Sequence, residues 1–391
     1  MKKIIKRLLI ALVSLAVIAF IVYLRLQPVR ELNKLPTYQG TLNFNFASPK
    51  YDESKRTVFI MADNNNTEMF DMMAPYYLFS STHKANVYIV AEKKYPITMK
   101  KGPYVLPQFT FDEVDSMKLR ADVIVIPFMN DPAGQVKVNW IKHHYSDSTI
   151  ILSICDGAWT AAATGIYDGK LLTCHATDFE KVKKNFSKPQ WVQQVSYTQS
   201  GNLFSTAGVS NAVEGSLAVI SKLFGKEKMQ SVLKEINYYK KDIPKDHKSI
   251  AVNGSAIVSG FTKVVFGKNK NVGILLQDGI SEFELAGIFD SYTRTLPSSI
   301  KAFVMNGTSV TTKYGLTLIP TGDMKLYEID ELHVMHPESL SKQDSLKLKD
   351  VEIVAYHHSN EIYIINQCLE NIKEQYGDKF QNLVKLALDY N

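Results

Sequence analysis

Four short runs constrain this chain most: residues 57–62 (TVFIMA), 86–91 (NVYIVA), 121–127 (ADVIVIP) and 149–154 (TIILSI). Each is apolar and rich in β-branched residues without polar alternation, as a strand covered on both faces requires. A polar turn at 63–67 (DNNNT) leads into helical spacing over 68–80. Buried strands alternating with helices predict an α/β three-layer sandwich around a mostly parallel sheet. In such a sheet the reactive groups gather at the carboxyl ends of the strands.

At 391 residues the chain is long enough for two domains. A weak internal repeat aligns Phe70-Asp71-Met72-Met73-Ala74 with Phe283-Glu284-Leu285-Ala286-Gly287. Each block follows an apolar strand, 57–62 or 272–276, and precedes another, 86–91 or 302–305. Farther on, 121–125 aligns with 329–333. The pattern predicts two related halves, 55–240 and a shorter 247–391, divided at the charged, proline-containing 240–247 (KKDIPKDH). An internal pseudo-dimer would follow.

The net charge of +6 is local. Residues 1–30 hold Lys2, Lys3, Lys6, Arg7, Arg25 and Arg30 and no acid, while the other 39 basic residues meet 39 acidic ones. A neutral body excludes general attraction to phosphate backbones, and no nucleic-acid partner is expected. Residues 8–24 are uncharged and apolar. As a helix they span about 25 Å, enough to cross hydrocarbon. Their length, and the lack of an A-x-A-like site, favour a retained transmembrane anchor over a cleaved signal peptide. The basic tip predicts a cytoplasmic N-terminus and an extracellular body, joined by a tether over 31–54.

The chemistry-bearing stretch is 149–175, TIILSICDGAWTAAATGIYDGKLLTCH. A strand ends at Ile154, Cys155-Asp156-Gly157 turns, and a small-residue helix follows over 159–165. A cysteine at such an elbow faces helix N–H groups, which lower a thiol pKa and can hold an oxyanion. The competing reading is a small buried hydrophobe. A short strand ending at His175 would return beside the first and bring an imidazole to the thiol. Cys174 should then face away from His175. Cys368 sits in an amphipathic helix over 362–377 and reads as core. The three cysteines are too few for a disulfide scaffold. The adjacent pairs His143-His144 and His357-His358 are expected to face different ways, and no HExxH, CxxC, Walker or GxGxxG pattern occurs, so neither metal nor cofactor is expected.

The sequence Ser153-Ile154-Cys155-Asp156-Gly157-Ala158, followed by Ala162-Ala163, Gly165, Asp168-Gly169 and Thr173-Cys174-His175, resembles the ThiJ/PfpI family of class I glutamine amidotransferase-like proteins. Residues 202–214 and Phe70-Asp71-Met72-Met73-Ala74-Pro75 resemble its later strand-helix and its F-D-x-x-G-P helix. The branch with isonitrile hydratases and the sensing halves of AraC-type regulators is the most similar. The resemblance implies a flavodoxin-like sandwich, Cys155 as nucleophile, His175 as its partner and Asp71 as the acid beside it. Asp156 and Gly157 would form the oxyanion elbow, and Glu284 would be the inactive counterpart of Asp71. Two departures stand out. Phe128-Met129-Asn130-Asp131 replaces the family's glycines at one oxyanion donor, and the negative charge of Asp156 opposes thiol ionisation.

These features fit a Cys-dependent hydrolase or lyase acting on a small molecule. They also fit a ligand- or redox-sensing module, or an interaction scaffold. The reactivity of Cys155 separates the three.

Overall fold

The computed structural model describes residues 2–32, 34, 37–41, 49–99, 102–249, 252–356 and 361–390. His357, His358 and much of the predicted tether lie outside them. Helix α1 (Lys2–Leu32) has 31 residues and carries Pro28. Among the described residues it is the one helix long and apolar enough to cross a membrane. It continues past the apolar run of 8–24 to Leu32, whose buried side chain joins the core of the body.

The next elements are β1 (Arg56–Ala62), α2 (Met69–Ser80), β2 (Ala85–Ala91), β3 (Ile97–Thr98), β4 (Tyr104–Val105), β5 (Phe109–Thr110), α3 (Phe111–Ser116), β6 (Val123–Ile126), α4 (Gln135–His144) and β7 (Ile150–Ser153). After the elbow come α5 (Ala158–Ala163), β8 (Leu171–Leu172), α6 (Phe179–Asn185), β9 (Gln190–Trp191), β10 (Tyr197–Ser200), β11 (Leu203–Thr206), α7 (Ala212–Phe224) and α8 (Lys226–Glu235). The main sheet runs β10-β11-β7-β6-β1-β2-β5, parallel except for β10. Strand residues alternate between two apolar layers. Val58 and Ile60 pack with α2 and α7, while Phe59 and Met61 pack with Trp140 and Ile141 of α4. This is the predicted sandwich.

A second, four-stranded parallel sheet follows helix α9 (Gly254–Phe266). Its parts are β12 (Asn271–Leu275), α10 (Glu282–Thr293), β13 (Ser299–Phe303), β14 (Val310–Thr311), β15 (Thr317–Ile319), β16 (Glu331–Val334), α11 (Lys342–Lys347), β17 (Glu352–Ala355), α12 (Ile364–Tyr376) and α13 (Asp378–Leu388). The sheet order is β13-β12-β16-β17.

Corresponding residues make the same bonds in the two regions. Asp122 accepts the Thr57 N–H and Asp330 accepts the Asn271 N–H, both at 2.8 Å. Two residues past the ends of α2 and α10 a threonine bonds back three residues, Thr82 to Phe79 O and Thr295 to Tyr292 O. The regions meet through α2 against α10, where the Phe70 and Phe283 rings lie 5.5 Å apart. They also share an antiparallel sheet, β14-β15-β4-β3, in which hairpins from both pair through Leu318 with Val105. One apolar cluster runs through both regions, including Phe70, Tyr77, Phe283 and Phe289.

Candidate functional site

The elbow is built from strain and one missing side chain. Ile154 extends the ladder by donating to Ile126 O at 2.9 Å. Cys155 then adopts φ +54°, a left-handed conformation that costs a non-glycine residue about 1–2 kcal/mol. A bond from its N–H to Thr206 Oγ1 (3.3 Å) and one from Gly157 N–H to Ile154 O (2.8 Å) hold the bend. A Cβ on Gly157 would lie 2.0 Å from Ile126 O, so only glycine lets this turn rest on the end of β6. Gly157→Ala is expected to lower stability by about 1–3 kcal/mol and to displace the thiol. Urea unfolding and the rate of Cys155 alkylation check this.

Around the sulfur stand carboxyl groups. Glu68 caps α2, its side chain accepting the Asp71 N–H at 3.1 Å. Asp71 is fully buried. Its Oδ2 accepts the Phe128 N–H at 3.1 Å, and its Oδ1 has no partner among the described residues. Burial holds the Asp71 carboxyl well above the usual range; Glu68, Asp290 and Asp156 push the same way, and the Phe128 N–H opposes them. Phe128, where the family's oxyanion glycines were missed, therefore spends its N–H on Asp71.

The same surroundings act on the thiol. Burial pushes Cys155 well up, followed by Asp71, Asp156 and Glu68, against an opposing bond from the Asp156 N–H. This reverses the expected lowering. Helix α5 has only six residues and opens with a 3-10 turn, so its end charge is weak beside burial and three carboxyls.

Arg294 reaches this cluster from the end of α10. Its guanidinium is 16% exposed and stands 3.3 Å from Asp290 and 4.0 Å from Glu68. It donates to Ala387 O (3.0 Å) and Asp290 O (2.8 Å). Burial opposes its charge, and Asp290 and Glu68 more than restore it.

Cys155, Asp156, His175, Glu68, Asp290 and Arg294 line one cavity of about 690 Å³. His175 reaches it by another route than expected. Strand β8 pairs with β9 in a separate two-stranded sheet, because after α5 the edge of β7 is already taken by β11. The His175 Nδ1 accepts the Thr177 N–H at 3.3 Å. Cys174 faces away, into the apolar layer with Tyr167 and Leu172, whereas Cys155 belongs to the opposite layer. Burial also pushes the Cys174 thiol up. Glu284 lines a cleft of only about 20 Å³ with Met335, Tyr356 and Gln367. Cys368 is fully buried beneath Tyr356, 3.8 Å from its hydroxyl. At the end of α4, His143 and His144 do not diverge as expected: their ligating atoms and that of Asp115 lie within 4.8 Å. His144 there bonds Asp115 at 2.6 Å and packs on Trp140.

Residues 55–222 match the DJ-1/PfpI family model. This region, less than half of the chain, is a DJ-1/PfpI-like domain. Isonitrile hydratase of Pseudomonas putida is 23% identical over 174 residues, covering 44% of this chain and 74% of that protein. Protein dj-1beta of Drosophila melanogaster is 28% identical over 135 residues, covering 33% and 70%. The crystal structure of Drosophila DJ-1beta superposes with a TM-score of 0.42 at 20% identity, over 46% of this chain and 96% of that one. The cavity extends beyond the DJ-1/PfpI region, since Asp290 and Arg294 lie after residue 222. Sequence reasoning missed both, and missed Glu68 as a member of the site. The one available signal for Glu68 was a carboxylate three residues before Asp71, a helix-capping spacing.

Proposed function

We propose that Cys155 and Asp71 form the reaction centre of a thiol-dependent hydratase or hydrolase for an uncharged, electrophilic small molecule. The carrying observation is the buried Asp71 carboxyl, held toward its neutral form with one oxygen unpartnered, among the groups that act on the thiol. In the first step sulfur bonds to the electrophilic carbon. Asp71 gives its proton to the anion developing on the substrate and takes the proton leaving sulfur, so no net charge forms in the cavity. An ester or amide first expels its alcohol or amine, which leaves with a proton from Asp71; water then attacks the carbon, the C–S bond breaks, and a proton of that water returns to sulfur through Asp71. His175, on the cavity wall, would orient that water.

The charge around the cavity supports the substrate class. The lining carboxyl groups Glu68, Asp156, Asp178 and Asp290 outnumber its cations Arg294 and Lys181, and Arg294 is already engaged by Asp290 and Glu68. The name isonitrile hydratase denotes addition of water to an uncharged group with an electrophilic carbon. The test is a turnover panel of neutral isonitriles, aldehydes, amides and esters on the full chain. Turnover that disappears in Cys155→Ser supports the reading; turnover that persists in that variant overturns it.

The raised thiol favours one second reading, a pocket that binds a ligand without turnover. It predicts ligand-induced thermal stabilisation that survives in Cys155→Ser.

We read residues 247–391 as a shorter degenerate copy docked as an internal pseudo-dimer, supported by the paired Asp122 and Asp330 bonds and by the α2–α10 contact. We also read α1 as a retained anchor with the body outside the cell, supported by its length, its apolar run and the basic tip.

A further inference from the structure

Helix α9 is apolar on both sides. Ala256, Gly260, Val264 and Val265 are buried in the body, while Ile257 (61% exposed), Val258 (63%), Phe261 (46%) and Phe266 (78%) face outward. Exposed Ser255 and Thr262 share the outward side, so α9 is amphipathic in part, but its exposed side is still mainly apolar, and an exposed apolar patch of this kind marks an interaction surface. Beside it lies a depression of about 1440 Å³ between α9 and α13, whose charged lining residues are Lys263, Lys379 and Lys385, with no acid.

The place of α9 relative to α1 identifies what covers this patch. Helix α1 packs on α9 and β13. Its side chains are exposed through most of the apolar run, half-buried over 26–29 and buried at Leu32. Contact with the body therefore falls in the last two turns, just past Arg25, where a helix crossing hydrocarbon reaches the headgroups. An apolar helix beside that point, flanked by lysines, has the composition of one lying in the bilayer interface.

We infer that α9 is a second membrane contact: its outward face, Ile257, Val258, Phe261 and Phe266, enters the headgroup and acyl boundary of the leaflet from which α1 emerges. This rests on the reading of α1 as a retained anchor. The body is then held by two elements, with a fixed face toward the bilayer.

The full chain in nanodiscs of phosphatidylcholine with phosphatidylglycerol tests this. Single probe sites at Phe261→Cys and Phe266→Cys, in a Cys155→Ser background, carry an environment-sensitive fluorophore, with Met117→Cys as an exposed control. Lipid-borne quenchers should quench the α9 probes about fivefold more than the control, and aqueous iodide correspondingly less, as expected for burial at the interface. Equal iodide access at all three sites overturns the inference. Shielding that depends on protein concentration and not on lipid-borne quencher also overturns it, and identifies a second copy as the occupant. Failure of the anchor reading looks different: the protein leaves the nanodisc fraction, and N-terminal sequencing finds α1 removed.

Discussion

Asp71→Asn is expected to lower turnover by about 10²- to 10⁴-fold, the range of a positioned general acid or base. The amide keeps the shape and can still accept the Phe128 N–H, but it can neither give nor take the proton that the thiol step requires. Stability should move the other way. The folded Asp71 carboxyl is raised by burial and by Glu68, so its neutral form is favoured in the native state. That contribution is fully present below the ordinary carboxyl pKa of about 3.9 and is lost as pH rises toward the raised folded value, at about 1.4 kcal/mol per pH unit. The asparagine variant lacks this loss. Urea unfolding should find it gaining on the wild type as pH is raised from 5 to 8. A carboxylate already ionised in the fold would give no such gain.

Arg294→Met is expected to destabilise the protein by about 3–5 kcal/mol, because it leaves buried acids without their cation. Glu68 and Asp290 are 4% and 5% exposed, and the guanidinium is the cation beside both. Methionine preserves most of the volume, so packing loss is a minor part. If charge is the cause, the loss is coupled: Asp290→Asn in the same chain should recover about 1–3 kcal/mol of it, measured as a double-mutant cycle in urea. Additive losses would mean that Arg294 acts through its bonds to backbone carbonyls instead. The variant should also slow turnover, since it removes a positive charge that acts on Cys155 against the surrounding carboxyls.

The main sheet was legible because its strands are buried on both faces. Residues 57–62, 86–91, 121–127 and 149–154 read as unbroken apolar runs and form β1, β2, β6 and β7 within one or two residues. The alignment of 121–125 with 329–333 was legible through Asp122 and Asp330, which do the same work for neighbouring strands. Other features leave no local trace. Arg294 reads as an ordinary basic residue at a helix end, and its place beside Cys155 follows from how α10 docks on α2. The direction of the thiol shift could not be read from an elbow motif, because it depends on three carboxyls, two of them, Glu68 and Asp71, from the start of α2. Helix α9 went unread, although Ser255, Ser259 and Thr262 recur there at helical spacing.

The most direct test of the account is the rate of Cys155 alkylation by iodoacetamide against pH, followed by intact mass. The account predicts slow modification through neutrality, a titration well above the ordinary thiol value of about 8.5, and a downward shift of that titration in Asp71→Asn. Rapid alkylation at neutral pH, unchanged in Asp71→Asn, would contradict it.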